Sequence, residues 1–189
     1  TATSNNPSVS GFTTSGSGNI PPQTIVNSSN TTATVTYHIV PNSTQSGVSC
    51  AGVPQDYIIT VNPLPDVTGT GLTQTLCSGV ASQAIALSSS VTGTLFNWSV
   101  NYPQYLTPQG STSGSTSQSI SPQTWTNNGT QAGQAVYSIT PVFNNCQGNP
   151  ILALLTVQPV AQVVTSPSSY EVCSGTAVSI PLNSNVSSG

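Results

Sequence analysis

One imidazole (His38), three carboxylates (Asp56, Asp66 and Glu171) and four thiols (Cys50, Cys77, Cys146 and Cys173) are the side chains best suited to acid–base, metal or nucleophilic chemistry. There is no lysine and no arginine. Nothing can therefore neutralise phosphates, which excludes nucleic-acid binding and docking on an anionic membrane surface. A lysine base, an arginine clamp and lysine–asparagine crosslinks are excluded on the same count. His38 alternates with Tyr37 and Ile39 on an expected strand, so its ring should face solvent or a neighbouring side chain. Spacing places no base or nucleophile beside it, and no Gly-x-Ser-x-Gly elbow arms a serine. Calcium wants six to eight oxygens, several of them carboxylates. Asp66 has no acidic neighbour in sequence, Asp56 opens a strand and Glu171 precedes a turn. Two thiols with no nearby histidine leave a zinc shell unfilled. The expectation is a non-enzyme with no catalytic residue, no metal and no cofactor.

The elements that hold these residues are short and extended. Serine and threonine make up roughly a third of the chain, so hydroxyls replace charges as the hydrated surface. Apolar residues form 35%, too many for a disordered linker, and 16 glycines with 15 prolines punctuate short alternating runs. No window has helical periodicity, and no apolar run reaches membrane-spanning length. The chain starts at Thr1 and has no methionine, as expected of a mature or excised piece of something longer.

Five blocks recur in one order. Ile20-Pro21-Pro22-Gln23-Thr24 returns as Ile120-Ser121-Pro122-Gln123-Thr124, and Tyr37-His38-Ile39-Val40-Pro41 as Tyr137-Ser138-Ile139-Thr140-Pro141. Cys50-Ala51-Gly52-Val53-Pro54 returns as Cys146-Gln147-Gly148-Asn149-Pro150, Thr60-Val61-Asn62-Pro63 as Thr156-Val157-Gln158-Pro159, and Cys77-Ser78-Gly79 as Cys173-Ser174-Gly175. The first two shifts are 100 residues and the last three 96, so one loop between Pro41 and Cys50 differs in length. The expected organisation is residues 1–65 as the later part of one repeat, 66–161 as a complete repeat, and 162–189 as the opening of the next. Proline-rich linkers at 62–66 and 158–162 favour extended, semi-rigid strings.

Strands are expected at 67–72, 83–88, 95–100, 102–107, 117–121, 134–142 and 151–157, with the serine-, threonine- and glycine-rich 109–116 as a loop. About seven short strands in just under a hundred residues suit an all-β fold of tandem immunoglobulin-like sandwiches. The motifs Cys-Ser-Gly (77–79), Tyr-x-Ile-Thr-Pro (137–141), Cys-x-Gly-x-Pro (146–150) and Thr-Val-x-Pro (156–159) resemble the PKD-like, immunoglobulin-like repeats of Bacteroidota surface proteins. That resemblance implies export by the type IX secretion system to the cell surface. It also implies a stalk role in adhesion or gliding motility. The partners it implies are neighbouring repeats of the same chain, surface polysaccharide, and other adhesin or secretion components. The alternative is an array of carbohydrate-binding modules on a secreted protein.

Within such a sandwich, Cys77 is expected near the start of the domain and Cys146 in its last loop, at the same end. A Cys77–Cys146 disulfide is then expected, with Cys50 and Cys173 pairing outside this window; free buried thiols are the other reading. Trp98 and Phe96 are placed in the core, as is Trp125, whose counterpart is Ile25. Tyr102 and Tyr105, flanking Pro103, are the candidate ligand surface. Both flanks lack part of their sandwich. They should be disordered or should pair strands with another copy, leaving Val35, Tyr37, Ile39, Ile58 and Val61 uncovered.

Overall fold

Threonine, valine, isoleucine and tyrosine alternate along 33–39, 133–143 and 151–158, and each run is a strand with one face buried. The structure, a computed structural model, describes residues 1–165 and 168–186, and every regular element among them is a β-strand or a bridge. The chain divides into two compact units.

The first unit comprises residues 1–67, 89–95 and 140–149. It holds β1 (Ala2–Ser4), β2 (Val9–Ser10), β3 (Val26–Asn27), β4 (Ala33–Ile39), β5 (Asn42–Gln45), β6 (Val48–Ala51) and β7 (Gln55–Val61). Its main sheet has the antiparallel order β1-β4-β7, with Tyr37 opposite Ala2 on one side and Tyr57 on the other. Ser46 and Gly47 turn the β5–β6 hairpin at positive φ. The core is Ala2, Val9, Ala33, Val35 and Tyr37, flanked by Phe12, Ile25, Ile59 and Val61. This corrects the expectation that residues 1–65 are disordered or leave their faces bare. Residues 2–4 supply a strand that covers β4, so Val35 and Tyr37 are buried, whereas Ile39 and Ile58 stay exposed.

The second unit comprises 68–88, 96–139 and the described residues from Pro150 onward. Its strands are β8 (Thr68–Thr70), β9 (Thr73–Cys77), β10 (Ile85–Ser88), β11 (Leu95–Asn101), β12 (Leu106–Gln109), β13 (Ser113–Thr116), β14 (Ser119–Ile120) and β15 (Thr124–Asn127), then β16 (Gly133–Phe143), whose residues 140–143 are counted with the first unit. There β17 (Cys146–Gln147) turns back on it, and β18 (Ile151–Gln158), β19 (Val163–Val164) and β20 (Asn183–Ser184) follow. One sheet runs β13-β11-β16-β18-β9, a second β14-β10-β8, and β12 pairs β15. Phe96, Leu106, Trp125, Tyr137, Leu155 and Val157 fill the core. The fold is a tandem immunoglobulin-like β-sandwich.

Four strands of the 66–161 repeat were not expected: β9, β13, β15 and the two-residue β17. Ser113–Thr116 carries no apolar residue, but it pairs with β11 at a sheet edge, where backbone hydrogen bonds need no apolar face. Thr73–Cys77 carries a single large apolar residue, Leu76, and runs parallel to β18.

That last strand overturns the expected disulfide. Residues Thr73–Cys77 run the length of the C-terminal half of β18 instead of remaining at the start of the sheet. Cys77 stands opposite Gln158, the last residue of β18. Cys146 pairs with Phe143 in the hairpin that leads into Ile151, the first residue of β18. Seven residues at roughly 3.3 Å each put those strand ends about 23 Å apart, against the roughly 7 Å limit for bridged Cα atoms. Cys50, Cys77, Cys146 and Cys173 are all free thiols.

Candidate functional site

The one imidazole–carboxylate contact among the described residues joins His38 Nδ1 to Asp56 Oδ1 at 2.7 Å, across the β4–β7 register. Sequence spacing did not reveal Asp56 as the partner; the antiparallel pairing puts it directly opposite. Both side chains are about half exposed (50% and 54%). The histidine thus has a carboxylate to orient it but no hydroxyl or thiol hydrogen-bonded to its ring, and the pair acts as a cross-strand surface contact worth at most about 1 kcal/mol.

Asp66 is committed to the fold. Its Oδ1 accepts from the Ser90 backbone N–H and from the Ser89 and Ser90 hydroxyls, and these bonds hold its carboxyl below the usual carboxylate range. Glu171 lies exposed in a segment without strand structure.

The aromatic residues are mostly packing elements. Trp125 is fully buried, and Tyr102 meets it edge-on with centroids 5.0 Å apart. Tyr105 is 40% exposed, but its ring lies over Gly129 and Gly133, where an added Cβ would come within 3.1 and 2.8 Å of it. Tyr102 and Tyr105 therefore do not form a pair of open ring faces. Trp98, expected in the core, is only half-buried. It packs 6.0 Å from Tyr137 and over Gly114. Burial pushes the Tyr137 hydroxyl up, partly offset by the Trp125 indole.

Two asparagines matter more than composition suggested. Asn127 is buried; its Nδ2 donates to Gln131 O and Val157 O, and its Oδ1 accepts from Gly129 N–H. Asn27 makes the same clamp, donating to Thr31 O and Val61 O and accepting from Ser29. Each ties a turn to the last long strand of its repeat. The signal was present in sequence as the 100-residue match of Asn27 with Asn127. The Cys-x-Gly-x-Pro motif has an equally local cause. Gly52 N–H donates to Pro41 O and Gly148 N–H to Pro141 O, and a Cβ at either glycine would stand 2.9 Å from the proline Cγ.

The PKD-like domain model matches residues 1–65 and 74–161. The chain belongs to the PKD-like domain family. PKD-like domains are typically extracellular and non-catalytic, and they often occur as repeats in adhesion-related proteins. No curated protein matches the chain. Among solved structures, the crystal structure of human CDH23 EC21-23 is similar at 15% identity and a TM-score of 0.36, covering 90% of this chain. The chain spans 65% of that one. No helix among the described residues is long and apolar enough to cross a membrane.

The PKD-like sheet edges are the sites with most to offer. In the second unit β9 closes the edge of β18. In the first unit β7 ends its sheet, beside a groove of about 190 Å³ lined by Ile20, Pro21, Gln23, Ile25, Tyr37, Tyr57 and Ile59.

Proposed function

We propose that this chain is a non-enzymatic stalk segment of a long cell-surface adhesin. The parent is of the kind that Bacteroidota export through the type IX secretion system, as typified by the gliding-motility adhesin SprB. Residues 66–161 form its complete repeat, 1–65 belong to the repeat before and 162–189 to the one after. Its partners are the neighbouring repeats, and its task is reach and mechanical continuity between the cell and whatever the adhesin grips.

The parallel pairing of β9 with β18 carries this reading. β9 lies near the start of the repeat and β18 at its end, and their register runs from Thr73 opposite Leu154 to Cys77 opposite Gln158. Leu154 N–H to Leu72 O and Ser78 N–H to Gln158 O bracket that ladder. Tension entering at the start of a repeat and leaving at its end pulls two parallel strands in opposite directions, so the ladder bonds are loaded together rather than one by one. The nearly uncharged surface, the repeat period and membership of the PKD-like family all support a structural role.

The location is tested on intact cells of the source. Proteinase K added outside should remove the protein, detected with an antibody to residues 66–161, while a cytoplasmic marker survives. Protection of the protein until the cells are lysed would contradict surface display.

A further inference from the structure

The four thiols belong to two motifs, and the structure puts those motifs at opposite ends of one sandwich. Cys77, of Cys-Ser-Gly, ends β9 opposite Gln158, and the N–H of Ser78 donates to Gln158 O. Pro159 follows Gln158 directly, so this exposed thiol stands where the chain leaves the repeat. Paired residues share one face of a sheet, so Cys77 and Gln158 project to the same side.

Cys146, of Cys-x-Gly-x-Pro, stands where the chain enters the repeat. Its hairpin turns at Asn144 and Asn145, both at positive φ, and pairs Cys146 with Phe143. Within the first unit, this hairpin touches the incoming linker on either side of Cys146. Asn144 Nδ2 donates to Asn62 Oδ1 at 3.4 Å, and a Cβ at Gly148 would overlap Pro65 O. Cys146 lies midway between those two contacts and is partly exposed.

Asn62 is the counterpart of Gln158 at the 96-residue shift. The β9–β18 register carried back by that shift sets the Cys-Ser-Gly cysteine of the preceding repeat opposite Asn62, about 4.8 Å away on the neighbouring strand. Asn62 is also the residue that the Cys146 hairpin touches. The two thiols of one repeat are held about 23 Å apart, whereas thiols of consecutive repeats converge on one joint.

We propose that a disulfide staples each joint between repeats. Cys77 bonds to the Cys-x-Gly-x-Pro cysteine of the repeat that follows, and Cys146 to the Cys-Ser-Gly cysteine of the repeat before. This rests on the tandem-repeat reading above, and it carries load across the joint through a covalent bond in parallel with the proline linker. The rule joins no two of Cys50, Cys77, Cys146 and Cys173 to each other, in agreement with their free thiols. The bond forms by exchange with a disulfide oxidant such as oxidised glutathione. One cysteine thiolate attacks that disulfide and releases a glutathione thiolate, and the second attacks the mixed disulfide and releases the other. Two cysteines are oxidised to cystine, one glutathione disulfide is reduced to two thiols, and the cysteine protons pass through solvent to the leaving thiolates.

The test is peptide mapping of residues 1–189 extended by the neighbouring repeat at each end, folded in a glutathione redox buffer. Pepsin digestion in acid prevents exchange. The expected products are a peptide joining Cys77 to the following Cys-x-Gly-x-Pro and one joining Cys146 to the preceding Cys-Ser-Gly. In Cys146→Ser, maleimide should label that preceding Cys-Ser-Gly thiol, which is protected in the parent. Free thiols at Cys77 and Cys146 in the extended chain, or a link between the two, would overturn the staple while leaving the stalk reading intact. Neighbouring repeats that lack the two cysteine motifs would overturn the tandem reading and the staple together.

Discussion

Asn127 shows how much one side chain contributes in a chain almost without charge. Its amide satisfies two backbone carbonyls and one N–H, and the bond to Val157 O is closed to water. Asn127→Ala should cost about 1–3 kcal/mol, because the Val157 carbonyl loses its partner at a place no solvent reaches. Asn128→Ala, on an exposed side chain, should stay within about 0.5 kcal/mol. Urea unfolding followed by Trp125 fluorescence separates the two, and equal losses would remove the clamp from the account. Asp66 gives the pH dependence. Its folded pKa is lowered from 3.8, so its stabilisation is complete above that value and fades as the pH falls through the lowered one. The melting temperature of Asp66→Ala should lie below that of the parent at neutral pH, and the gap should narrow on acidification below 3.8. A gap that stays constant down to about pH 2 would contradict the assignment. The thiols make a third test. Maleimide should label all four cysteines of the native protein, and non-reducing peptide mapping should find no Cys77–Cys146 link.

At the scale of elements, the hairpin before β18 depends on Gly148. A Cβ there would overlap Pro65 O and press on Pro141 Cγ, whereas at Gly52 the one contact inside 3 Å is the Pro41 ring. Gly148→Ala should destabilise by about 2–4 kcal/mol and Gly52→Ala by about 1 kcal/mol or less, measured by calorimetry. The reverse order would mean that the close approach to Pro65 is not a constraint. Strong alternation made β4, β11, β16 and β18 legible from sequence alone, because period two with valine, isoleucine and aromatic residues has one physical solution. β9 and β13 were hidden because strands at sheet edges are held by backbone bonds that leave little trace in side-chain type. Missing β9 misplaced Cys77 by the length of the sheet and produced the wrong disulfide. The His38–Asp56 pair and the open edge of β7 were also invisible, since both depend on register, which composition does not encode.

For the whole molecule, the repeat period and the near-absence of charge pointed to tandem sandwiches with a structural task, and the PKD-like family agrees with that. The central claim is that each complete repeat resists tension through β9 and β18. Single-molecule pulling between Thr1 and Gly189 measures this most directly, comparing the parent chain with Leu76→Pro. Leu72 and Ser78, the even-numbered neighbours that bracket β9, both bond to β18, so Leu76 falls on the bonded side and proline there removes a ladder donor. The account predicts one cooperative, high-force rupture in the parent chain and a clear drop in that force in Leu76→Pro. Gradual extension at low force, or a rupture force that Leu76→Pro leaves unchanged, would contradict it.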